Sequence, residues 1–459
     1  MKSFSVLPLN KEMLDNLNSL NYKTMTDIQE KSIPPILQGY DIFAQAKTGS
    51  GKTAAFGIGL MHMLNIKKYR IQALVLCPTR ELAEQVTAEL RRIARFQHNI
   101  KVLKITGGLP LNRQEHSLKH EAHIIVGTPG RIAKVLSRGS LVLSGLNTIV
   151  LDEADRMLDM GFIDQINEIF KYAPIKRQTL CFSATFSDEV KKLGHSLLNN
   201  PVEVTVESQH SSKIIVQHFY KINAQMKNKA LLILLTEHKP ESILIFCNTK
   251  DACRRVRSDL KSLGLHCLEL HGDLEQKDRT EVLVRFSNGS SKVLVATDVA
   301  ARGLDIENLE MIVNYDLPFE TETYVHRIGR TGRAGNEGLA ISFVKPNEEF
   351  RLNEINEFTN NSFNSKEINL DKKIELANME SSMITLSING GRKNKISPGD
   401  VLGALTIPDG ILGKDIGKID RQDNITFIAV KRNISERAFS LLENGKIKGR
   451  KFKALINDL

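Results

Sequence analysis

Residues 46 to 53, Ala-Lys-Thr-Gly-Ser-Gly-Lys-Thr, have the composition of a phosphate-binding loop. They follow an apolar run, Ile42 to Ala46, and precede a helix-like pattern that extends from Thr53 to Leu64. A strand, a glycine turn and a helix N-terminus together bind anions, because backbone N–H groups and the positive end of the helix dipole converge. Ala46 stands where the usual pattern has glycine, and a chance glycine-rich loop is the alternative.

Each residue type in this loop has a defined role if the ligand is a nucleoside triphosphate. Glycine allows the tight turn and the close approach of the backbone to phosphate oxygens. Lys52 would reach the β- and γ-phosphates, and the Thr53 hydroxyl would bind Mg²⁺. The predicted nucleotide-binding residues of the loop are Ala46, Thr48, Gly49, Ser50, Gly51, Lys52 and Thr53.

Two carboxylates, Asp152 and Glu153, follow another apolar run, Ile149 to Leu151. The end of a strand opposite a phosphate loop is a common place for a carboxylate that holds Mg²⁺, either directly or through a water. Glu153 is suited to orient or deprotonate an attacking water. A helix that begins with an N-cap Asp and a first-turn Glu is the simpler alternative, and the two interpretations are compatible.

The second half of the chain has no phosphate loop but carries His-Arg-Ile-Gly-Arg-Thr-Gly-Arg at residues 326 to 333. Arg330 and Arg333 are three residues apart and would project in the same direction. Guanidinium groups placed in this way can neutralise the charge that develops on a γ-phosphate. A plain basic loop is the alternative.

Near the start of the chain, Tyr22 and Gln29 are candidates for binding a base. The amide of Gln29 offers a donor and an acceptor in one plane, which suits the edge of adenine. The ring of Tyr22 could stack on the same base. An ordinary solvated helix face is the alternative.

These residues lie at the ends of apolar runs that alternate with amphipathic helices between Ile42 and Val206. Alternating strands and helices predict a parallel sheet covered by helices on both faces, with ligand loops at the carboxyl ends of the strands. The predicted strands are Ile42–Ala46, Ala73–Cys77, His123–Val126, Thr148–Leu151, Thr179–Phe182 and Val202–Val206.

A polar segment, residues 207 to 213, has the composition of a hinge and precedes a second series of the same kind. We therefore predict a second parallel α/β lobe. Its predicted strands are Ile215–Ile222, Ser242–Cys247, His266–Leu270, Val293–Ala296, Met311–Tyr315 and Leu339–Val344.

Composition restricts the class of protein. The 459 residues are 41% hydrophobic and 25% charged, which is typical of a soluble globular chain of about three domains. No apolar run is long enough to span a bilayer, and the five cysteines form no Cys-x-x-Cys pair, so we expect reduced thiols in a cytoplasmic protein. The net charge of +10 favours a polyanionic partner without separating RNA from DNA or an anionic membrane.

Taken in order, these motifs resemble those of the DEAD-box RNA helicases over roughly residues 4 to 350. One departure is Met25, which stands where the adenine motif usually has proline. The segments that carry the resemblance are Tyr22 to Gln29, residues 46–53, Pro78-Thr79-Arg80-Glu81-Leu82-Ala83, Thr128-Pro129-Gly130-Arg131, Asp152-Glu153-Ala154-Asp155, Ser183-Ala184-Thr185, Ala301-Arg302-Gly303-Leu304-Asp305 and residues 326–333.

The resemblance implies two RecA-like lobes that close on ATP, Mg²⁺ and RNA. It implies that Tyr22 and Gln29 bind adenine, that Asp305 lies near the ribose and the attacking water, and that Arg330 and Arg333 act as arginine fingers. The residues implied to couple the metal site to closure are Asp155, Ser183, Thr185 and His326. The implied RNA contacts are Arg80, Gly108, Thr128, Arg131, Thr249, Gly272, Gln276, Arg279 and Thr297.

The last part of the chain reads as a third, small α+β domain. Strand Met383–Ile388, helix Pro398–Leu405, strands Ile416–Asp420 and Asn424–Val430, helix Ser435–Glu443 and strand Phe452–Ile456 give the order β-α-β-β-α-β of an RNA-recognition fold. From residue 381 onward there are 14 Lys and Arg against 8 Asp and Glu. The predicted phosphate contacts are Lys446, Lys448, Arg450, Lys451 and Lys453.

The third strand of this domain keeps Phe427 but has Ile425 where a second base-stacking aromatic is usual. Binding through loops and the basic edge is therefore favoured over stacking on the sheet. A DEAD-box core with such a tail resembles the DbpA family of ribosome-assembly helicases, in which the tail docks on a hairpin of large-subunit ribosomal RNA. A dimerisation or protein-docking domain is the alternative for the tail.

We expect residues 1–207 to form lobe 1, 208–213 a hinge, 214–365 lobe 2, 366–380 a linker and 381–459 the RNA-binding domain. The expected activity is RNA-dependent ATP hydrolysis that locally opens short RNA duplexes, in the assembly of pre-ribosomal particles of the large subunit. An ATP-gated RNA clamp with little turnover, a helicase for another structured RNA and a DNA-directed motor remain alternatives. No obligate protein partner is evident.

Overall fold

The computed structural model describes residues 2–46, 49–120, 122–206, 215–301, 309–332, 337–375, 379–406 and 410–457. The described residues up to 206 form one compact unit, and those from 215 onward form a second. Among the predicted site residues, Thr48, Asp305 and Arg333 lie outside the described residues, as does the predicted hinge.

The first unit, lobe 1, is a seven-stranded parallel sheet with helices on both faces. Its strands β1 to β7 are Ile42–Gln45, Ala73–Leu76, Val102–Ile105, Ile124–Gly127, Thr148–Asp152, Gln178–Ser183 and Val202–Thr205. Its helices α1 to α9 are Lys11–Ser19, Asp27–Leu37, Lys52–Met63, Arg80–Ile93, Leu111–Leu118, Pro129–Ser137, Ala154–Asp159, Ile163–Tyr172 and Asp188–Leu197. The six predicted strands are confirmed, and β3 is an additional strand.

The central strands of lobe 1 are buried on both faces, which is why they read as continuous apolar runs. In β2, Ala73 and Val75 belong to one hydrophobic core, whereas Leu74 and Leu76 belong to the core on the other face. The strand order is β3-β4-β2-β5-β6-β1-β7, and every pairing is parallel. All seven carboxyl ends therefore lie along one edge of the sheet.

The second unit contains lobe 2, another seven-stranded parallel sheet, in the order β10-β11-β9-β12-β13-β8-β14. Its strands β8 to β14 are Ile215–Lys221, Ile243–Cys247, Leu268–Leu270, Val293–Thr297, Met311–Asn314, Gly338–Val344 and Ser365–Glu367. Its helices α10 to α15 are Lys227–His238, Lys250–Ser262, Gln276–Ser287, Asp298–Ala301, Thr321–Ile328 and Glu349–Thr359. The six predicted strands are confirmed here too, and β14 is additional.

The tail forms a four-stranded antiparallel sheet in the order β16-β17-β15-β18, with two helices on one face. Its strands β15 to β18 are Met383–Ile388, Ile416–Arg421, Thr426–Lys431 and Ala454–Asn457, and its helices α16 and α17 are Pro398–Leu405 and Ser435–Asn444. The predicted β-α-β-β-α-β order and the predicted fold class of two RecA-like lobes plus a small α+β domain are confirmed.

The second face of the tail sheet lies against lobe 2. Asn288, just after α12, donates from Nδ2 to Thr385 Oγ1 of β15 at 2.9 Å, and Thr385 Oγ1 donates to Ser290 Oγ at 2.7 Å. In the middle of α12, Glu281 accepts a hydrogen bond from Asn457 of β18 at 2.9 Å. Helix α12 therefore crosses the sheet, and Phe427 on this face is only 2% exposed.

Two further properties concern the described part of the chain. No helix there has the length and apolar character required to cross a membrane. All five cysteines are buried and unpaired, which agrees with the predicted reduced thiols.

Candidate active site and nucleic-acid interface

The strand order of lobe 1 separates the predicted site residues into two neighbouring groups. Strands β5, β6 and β1 are consecutive in the sheet, and the predicted phosphate, metal and coupling residues of lobe 1 follow their carboxyl ends, whereas Tyr22 and Gln29 precede β1. Strands β3, β4 and β2 are also consecutive, and the predicted RNA contacts follow theirs. One half of the edge is therefore available to a nucleotide and the other half to a polyanion.

The side chain of Lys52 reaches back to the end of β1. Lys52 is 5% exposed, and its Nζ donates to the carbonyl of Ala46 at 2.9 Å. Gly51 precedes α3 with φ of +94°, a conformation that glycine adopts without strain. The N-terminus of α3 and the lysine ammonium thus form the positive side of the site.

Gln29 lies against this loop and is buried. Its Oε1 accepts from the backbone N–H of Thr26 at 2.9 Å, and its Nε2 donates to the carbonyl of Gly51 at 3.1 Å. Thr26 also donates from Oγ1 to the carbonyl of Ser50 at 2.8 Å. The predicted adenine motif is therefore joined to the phosphate loop by two hydrogen bonds within lobe 1, and the third bond fixes Gln29 to Thr26 within the motif.

Tyr22 lies between the first residues of the chain and α4. Its hydroxyl donates to Glu89 at 2.5 Å, and its ring meets that of Phe4 edge-on at 6.0 Å between centroids. Burial, followed by the hydrogen bond to Glu89, raises the pKa of Tyr22. Met25, the departure from the proline pattern, is 1% exposed and packs in the core.

Asp152, the last residue of β5, has a buried carboxylate that is only partly satisfied by the described residues. It is 2% exposed, and its Oδ1 has no hydrogen-bond partner among the described residues. Burial raises the pKa of Asp152 to about 7, although the positive charge of Lys52 opposes the shift. A buried carboxylate oxygen of this kind near the phosphate loop fits a magnesium ion that is otherwise held by phosphate oxygens and water.

Glu153 adopts a left-handed backbone conformation, with φ of +57° and ψ of +56°. Its carboxylate pairs with Arg156 at 2.9 Å between Oε2 and the guanidinium, and both side chains are almost fully buried. Glu153, not Asp152, occupies the N-cap position of α7, and it makes no side-chain capping bond. The N-cap interpretation of Asp152 is therefore wrong, because Asp152 is still part of β5 and the N-cap position lies one residue later.

Asp155 fastens the acidic turn to the end of β6. Its Oδ2 accepts from the backbone N–H groups of Ala184 at 3.0 Å and Thr185 at 3.1 Å, and from Thr185 Oγ1 at 3.3 Å. The Asp155 N–H in turn donates to Ser183 Oγ at 3.3 Å. Three of the residues predicted to couple the metal site to closure are thus in direct contact.

The predicted RNA contacts of lobe 1 come together at the other half of the edge. Arg131 donates to the carbonyl of Leu109 at 3.0 Å, next to Gly108, whose φ is +82°. Burial and the nearby charge of Arg80 lower the pKa of Arg131, so the two guanidinium groups are neighbours. Thr128 stands at the N-cap of α6. This cluster presents cations and a helix N-terminus, which suits a sugar–phosphate backbone.

Lobe 2 places its predicted RNA contacts in the same half of its sheet. Thr249 follows β9 and caps α11, accepting from Ala252 N at 3.1 Å, while Thr297 ends β11. Arg279 donates to the carbonyls of His271, at 3.4 Å, and Ala300, at 3.5 Å. Gly272 and Gln276, which follow β10, complete the set. Strands β10, β11 and β9 are consecutive in the sheet.

Arg327 is a buried site residue that the sequence did not reveal. Its Nε and Nη2 donate to the two oxygens of Asp298 at 2.6 and 2.7 Å, and Nη2 also donates to Asn248 at 2.8 Å. Its Nη1 donates to Asn314 at 3.2 Å and to the carbonyl of Asp316 at 2.6 Å. All five N–H donors of the guanidinium are used. The segment that carries the predicted fingers is therefore anchored to the ends of β9, β11 and β12.

The remaining residues of this segment surround that anchor. Arg330 follows α14 and is 5% exposed, and His326 lies on α14 and is partly buried. In sequence the motif is an arginine-rich run of uniform appearance. The structure gives Arg327 a structural role because all of its donors bind groups at the ends of β9, β11 and β12.

The basic run of the tail is an exposed hairpin. Ile447 and Arg450 exchange backbone hydrogen bonds at 2.9 and 3.1 Å, and the two residues between them have positive φ. Lys448 also donates to the carbonyl of Lys395 at 2.8 Å. All five predicted phosphate contacts of the tail are exposed.

The contact with Lys395 extends this basic surface to a second loop. The loop after β15 contains Arg392, Lys393 and Lys395, which were not predicted as contacts. A local excess of cations at residues 392 to 395 was the available signal, but only the fold brings them beside the hairpin, about fifty residues farther along the chain.

Comparison with known protein families and structures agrees with this arrangement. Residues 26–193 match the DEAD/DEAH box helicase model, and residues 226–335 match the helicase conserved C-terminal domain. The structure resembles that of yeast Dbp5 bound to RNA and ADP BeF3, with a TM-score of 0.73 and 33% identity over 81% of this chain and 96% of that one. The fold and the site thus define a DEAD-box ATPase.

The tail and the full-length relatives narrow the class. Residues 385–455 match the DbpA RNA binding domain. The chain is 49% identical to the ATP-dependent RNA helicase DbpA of Escherichia coli over 98% of both chains, and 37% identical to that of Bacillus subtilis over 99% of both. It therefore belongs to the DbpA family of DEAD-box ATP-dependent RNA helicases, and as such it binds ATP and RNA.

Proposed function

We propose that this helicase hydrolyses ATP in response to RNA and opens short duplexes locally, with roles divided along the two sheet edges. The observation that carries the proposal is the contiguous division of the lobe 1 edge between nucleotide and RNA residues, with the predicted RNA contacts of lobe 2 also following three consecutive strands. Lys52 and the N-terminus of α3 bind the phosphates, with Tyr22 and Gln29 at the adenine. Glu153 orients and deprotonates the attacking water. Arg330, Arg333 and Asp305 act on the same nucleotide from the second half of the chain.

Magnesium is the metal we assign to the nucleotide. Asp152, directly or through a water, and Thr53 would hold it, and the bound ion would neutralise the charge of the β- and γ-phosphates. The unpartnered Oδ1 of Asp152 supports this assignment. Asp155, Ser183 and Thr185 form one hydrogen-bonded group that would transmit a change at the nucleotide to the rest of the lobe, with His326 in the corresponding role in lobe 2.

Glu153→Gln tests the chemistry. The variant keeps the shape of the side chain but removes the base, so we expect ATP and RNA affinity to stay near wild type. A well-placed base contributes about a hundred- to ten-thousandfold, and the RNA-stimulated rate should fall by that factor. Hydrolysis within a few-fold of wild type would show that Glu153 is not the base.

The same measurement discriminates the clamp hypothesis. If the protein acts as an ATP-gated clamp, wild type should bind RNA tightly with ATP yet show little turnover. The complete set of ATPase side chains, from Lys52 to Arg330, favours turnover. Steady-state ATPase assays with and without RNA, and with a DNA strand of the same sequence, decide among helicase, clamp and DNA-directed motor.

We further propose that the helicase works in the cytoplasm on large-subunit ribosomal RNA in pre-ribosomal particles, with the tail docking on a hairpin. The similarity of residues 385–455 to the DbpA RNA-binding domain supports this target. In the tail, the sheet face with Phe427 is covered, whereas the basic hairpin is exposed. We therefore assign RNA capture to the hairpin and to the adjoining loop at residues 392 to 395.

Substitution of cations in the basic hairpin of the protein tail is a sharper test than deletion of the whole tail. Deleting residues 381–459 should leave an ATPase that ordinary RNA still activates and that has lost its preference for the ribosomal RNA hairpin. The deletion has a drawback, because it also exposes the face of α12 on which the tail sheet packs. The full chain with Lys451→Gln and Lys453→Gln avoids this problem. Binding of a labelled ribosomal hairpin should weaken, and the slope of log affinity against log salt should decrease by about 1.5 to 2.

The matched control is Lys67→Gln with Lys68→Gln, which removes two exposed cations from lobe 1. This control should leave the affinity of the protein for the ribosomal RNA hairpin unchanged. A scrambled RNA measures non-specific binding. If the truncated core still preferred the ribosomal hairpin, specificity would reside in the lobes, and the dimerisation or protein-docking alternative for the tail would be favoured.

A further inference from the structure

The acidic turn after β5 places three carboxylates within four residues, all of them buried. Asp152, Glu153 and Asp155 are between 2% and 5% exposed. Like charges this close repel one another, and each needs its own compensating contacts in a poorly solvated site. The structure supplies a different kind of contact to each carboxylate.

Asp155 is held by backbone N–H groups of residues 184 and 185, and Asp152 experiences the charge of Lys52. Glu153 is held by a guanidinium, that of Arg156 in the first turn of α7. Arg156 is 3% exposed, so this pair is shielded from the salt and water that weaken surface ion pairs.

The backbone at Glu153 explains why its side chain needs a partner. A left-handed residue at the end of a strand turns the chain sharply, and here it directs a carboxylate into a site where the side chain is only 2% exposed. Glutamate has three side-chain torsions, and several rotamers would be open to it. The contact with the rigid, planar guanidinium restricts the carboxylate to one orientation.

We propose that Arg156 is a positioning residue for hydrolysis, which fixes the carboxylate of Glu153 in the orientation required to direct the attacking water. This inference rests on the proposed role of Glu153 as the base. Arg156 does not touch the reacting atoms and acts only through Glu153. Its loss should therefore affect the transition state and leave the binding of ATP and RNA in place.

Arg156→Gln tests the proposal in the full-length protein. We expect kcat of the RNA-stimulated ATPase to fall about ten- to a hundredfold, because misplacement of a catalytic group by about 1 Å can cost this much. KM for ATP and the affinity for RNA should change by less than about twofold, since uniform binding is untouched. A parallel rise in KM with unchanged kcat would overturn the proposal.

Arg156→Lys separates orientation from charge. Lysine keeps the positive charge but lacks the planar set of donors, so kcat should lie between those of wild type and Arg156→Gln. This variant also decides the question if Arg156→Gln fails to fold. A wild-type kcat in Arg156→Lys would then overturn the orienting role.

The matched control is Arg138→Gln, which breaks another arginine–glutamate pair of lobe 1. Arg138 contacts Glu115 at 2.8 Å, but this pair is at the surface. The control should retain wild-type kcat, KM and thermal stability. If Arg138→Gln lowered kcat as much as Arg156→Gln does, the effect would be general and the proposal would fail.

A double-mutant cycle identifies the residue through which Arg156 acts. In the Glu153→Gln background the base is already absent, so adding Arg156→Gln should change the single-turnover rate by less than about twofold. An equal loss in both backgrounds would indicate a structural effect and overturn the proposal.

The cycle also separates this inference from the proposed function. If Glu153→Gln retained activity, the base assignment and the inference built on it would both fail. If Glu153→Gln were inactive but Arg156→Gln had wild-type kcat, only the inference about Arg156 would fail.

Discussion

The two parallel sheets have similar strand orders. The charged groups at the centre of their carboxyl edges differ in how completely they are hydrogen-bonded. In lobe 1, Asp152 keeps an oxygen without a hydrogen-bond partner among the described residues. In lobe 2, the central charged group is Arg327, and each of its five donors has an acceptor within the lobe. The centre of the first edge can therefore accept a ligand, whereas the guanidinium at the centre of the second edge is fully hydrogen-bonded. The second edge is not satisfied along its whole length, because both ring nitrogens of the buried His271, directly after β10, lack a hydrogen-bond partner among the described residues.

The difference indicates how one architecture supports two kinds of function. A buried polar atom without a partner raises the free energy of the empty state, and a ligand that satisfies it recovers that energy. A fully satisfied buried network instead fixes the relative positions of the elements it joins. The centre of the lobe 1 edge is therefore suited to bind a ligand, and the network around Arg327 in lobe 2 is suited to hold its loops in a defined arrangement.

The largest expected contrast is between Lys52→Ala and Arg333→Ala. Loss of Lys52 removes a ground-state contact with phosphate, so ATP affinity should fall together with the rate. Loss of the predicted finger Arg333 should lower kcat by about a thousandfold or more, with ATP affinity changed only a few-fold. Nucleotide titration and steady-state ATPase assays measure both quantities. Equal losses of affinity and kcat in Arg333→Ala would contradict the contrast.

Arg327→Gln tests whether the lobe 2 network is a structural anchor. The substitution removes a buried guanidinium and leaves Asp298, which is 20% exposed, without its cation. Removing one partner of a fully buried pair typically costs about 3–5 kcal/mol of unfolding free energy, so we expect a loss of up to that size here. Hydrogen exchange of the backbone at the ends of β9 and β11 should accelerate. Arg254→Gln, which disrupts only exposed ion pairs with Asp251 and Asp273, is the control and should have no measurable effect.

The pH dependence of the unfolding free energy tests whether the Asp152 carboxyl is buried in lobe 1. Because the pKa of Asp152 is raised to about 7, the native state binds more protons than the unfolded state between about pH 4 and 7. Stability should therefore decrease as pH rises through this window, by up to about 4 kcal/mol. Asp152→Asn should remove that component, which comparison of denaturant unfolding of both proteins at pH 5.5 and 8 would show. Identical pH dependences would place the titration elsewhere.

The smallest expected effect concerns the opposite end of lobe 2, where the tail docks. Asn288→Ala removes the donor to Thr385, and one neutral hydrogen bond contributes about 1 kcal/mol. Hydrogen exchange in β15 should increase slightly while kcat stays at wild type. Asn361→Ala, which removes a hydrogen bond within its own exposed loop, is the control. A large loss of ATPase activity would mean that docking and catalysis are coupled.

Much of the fold was predictable because the parallel strands are buried on both faces and therefore appear as apolar runs. The exceptions have identifiable causes. Strand β3, Val-Leu-Lys-Ile, is only partly buried and carries a lysine in its middle. Strand β14, Ser-Lys-Glu, has no apolar residue and exists only because it pairs with the edge of β8. Tertiary pairing, which no local pattern encodes, determined both.

For the site, residue type and spacing indicated the candidates but not their partners. The sequence pointed to Gln29 and Glu153, yet the contacts of Gln29 with the phosphate loop and of Glu153 with Arg156 depend on local backbone geometry. Arg327 was hidden among similar arginines, and only its environment distinguishes it. The basic loop at residues 392 to 395 became relevant only once the fold placed it beside the tail hairpin.

The turn at Lys448 and Gly449 has a consequence for the speed of RNA capture. Both residues have positive φ, so the hairpin has the two-residue turn that suits tightly paired strands. The backbone that carries the cations is held by this turn, and Lys448 is also held by its contacts with the Lys395 carbonyl and Asp400, so an arriving RNA does not have to order the loop backbone. We expect the RNA to associate quickly with the tail, and this association rate should fall steeply with added salt. The dissociation rate should depend on salt only weakly. A stopped-flow salt series would then locate the electrostatic contribution of the tail in the encounter rather than in the lifetime of the complex.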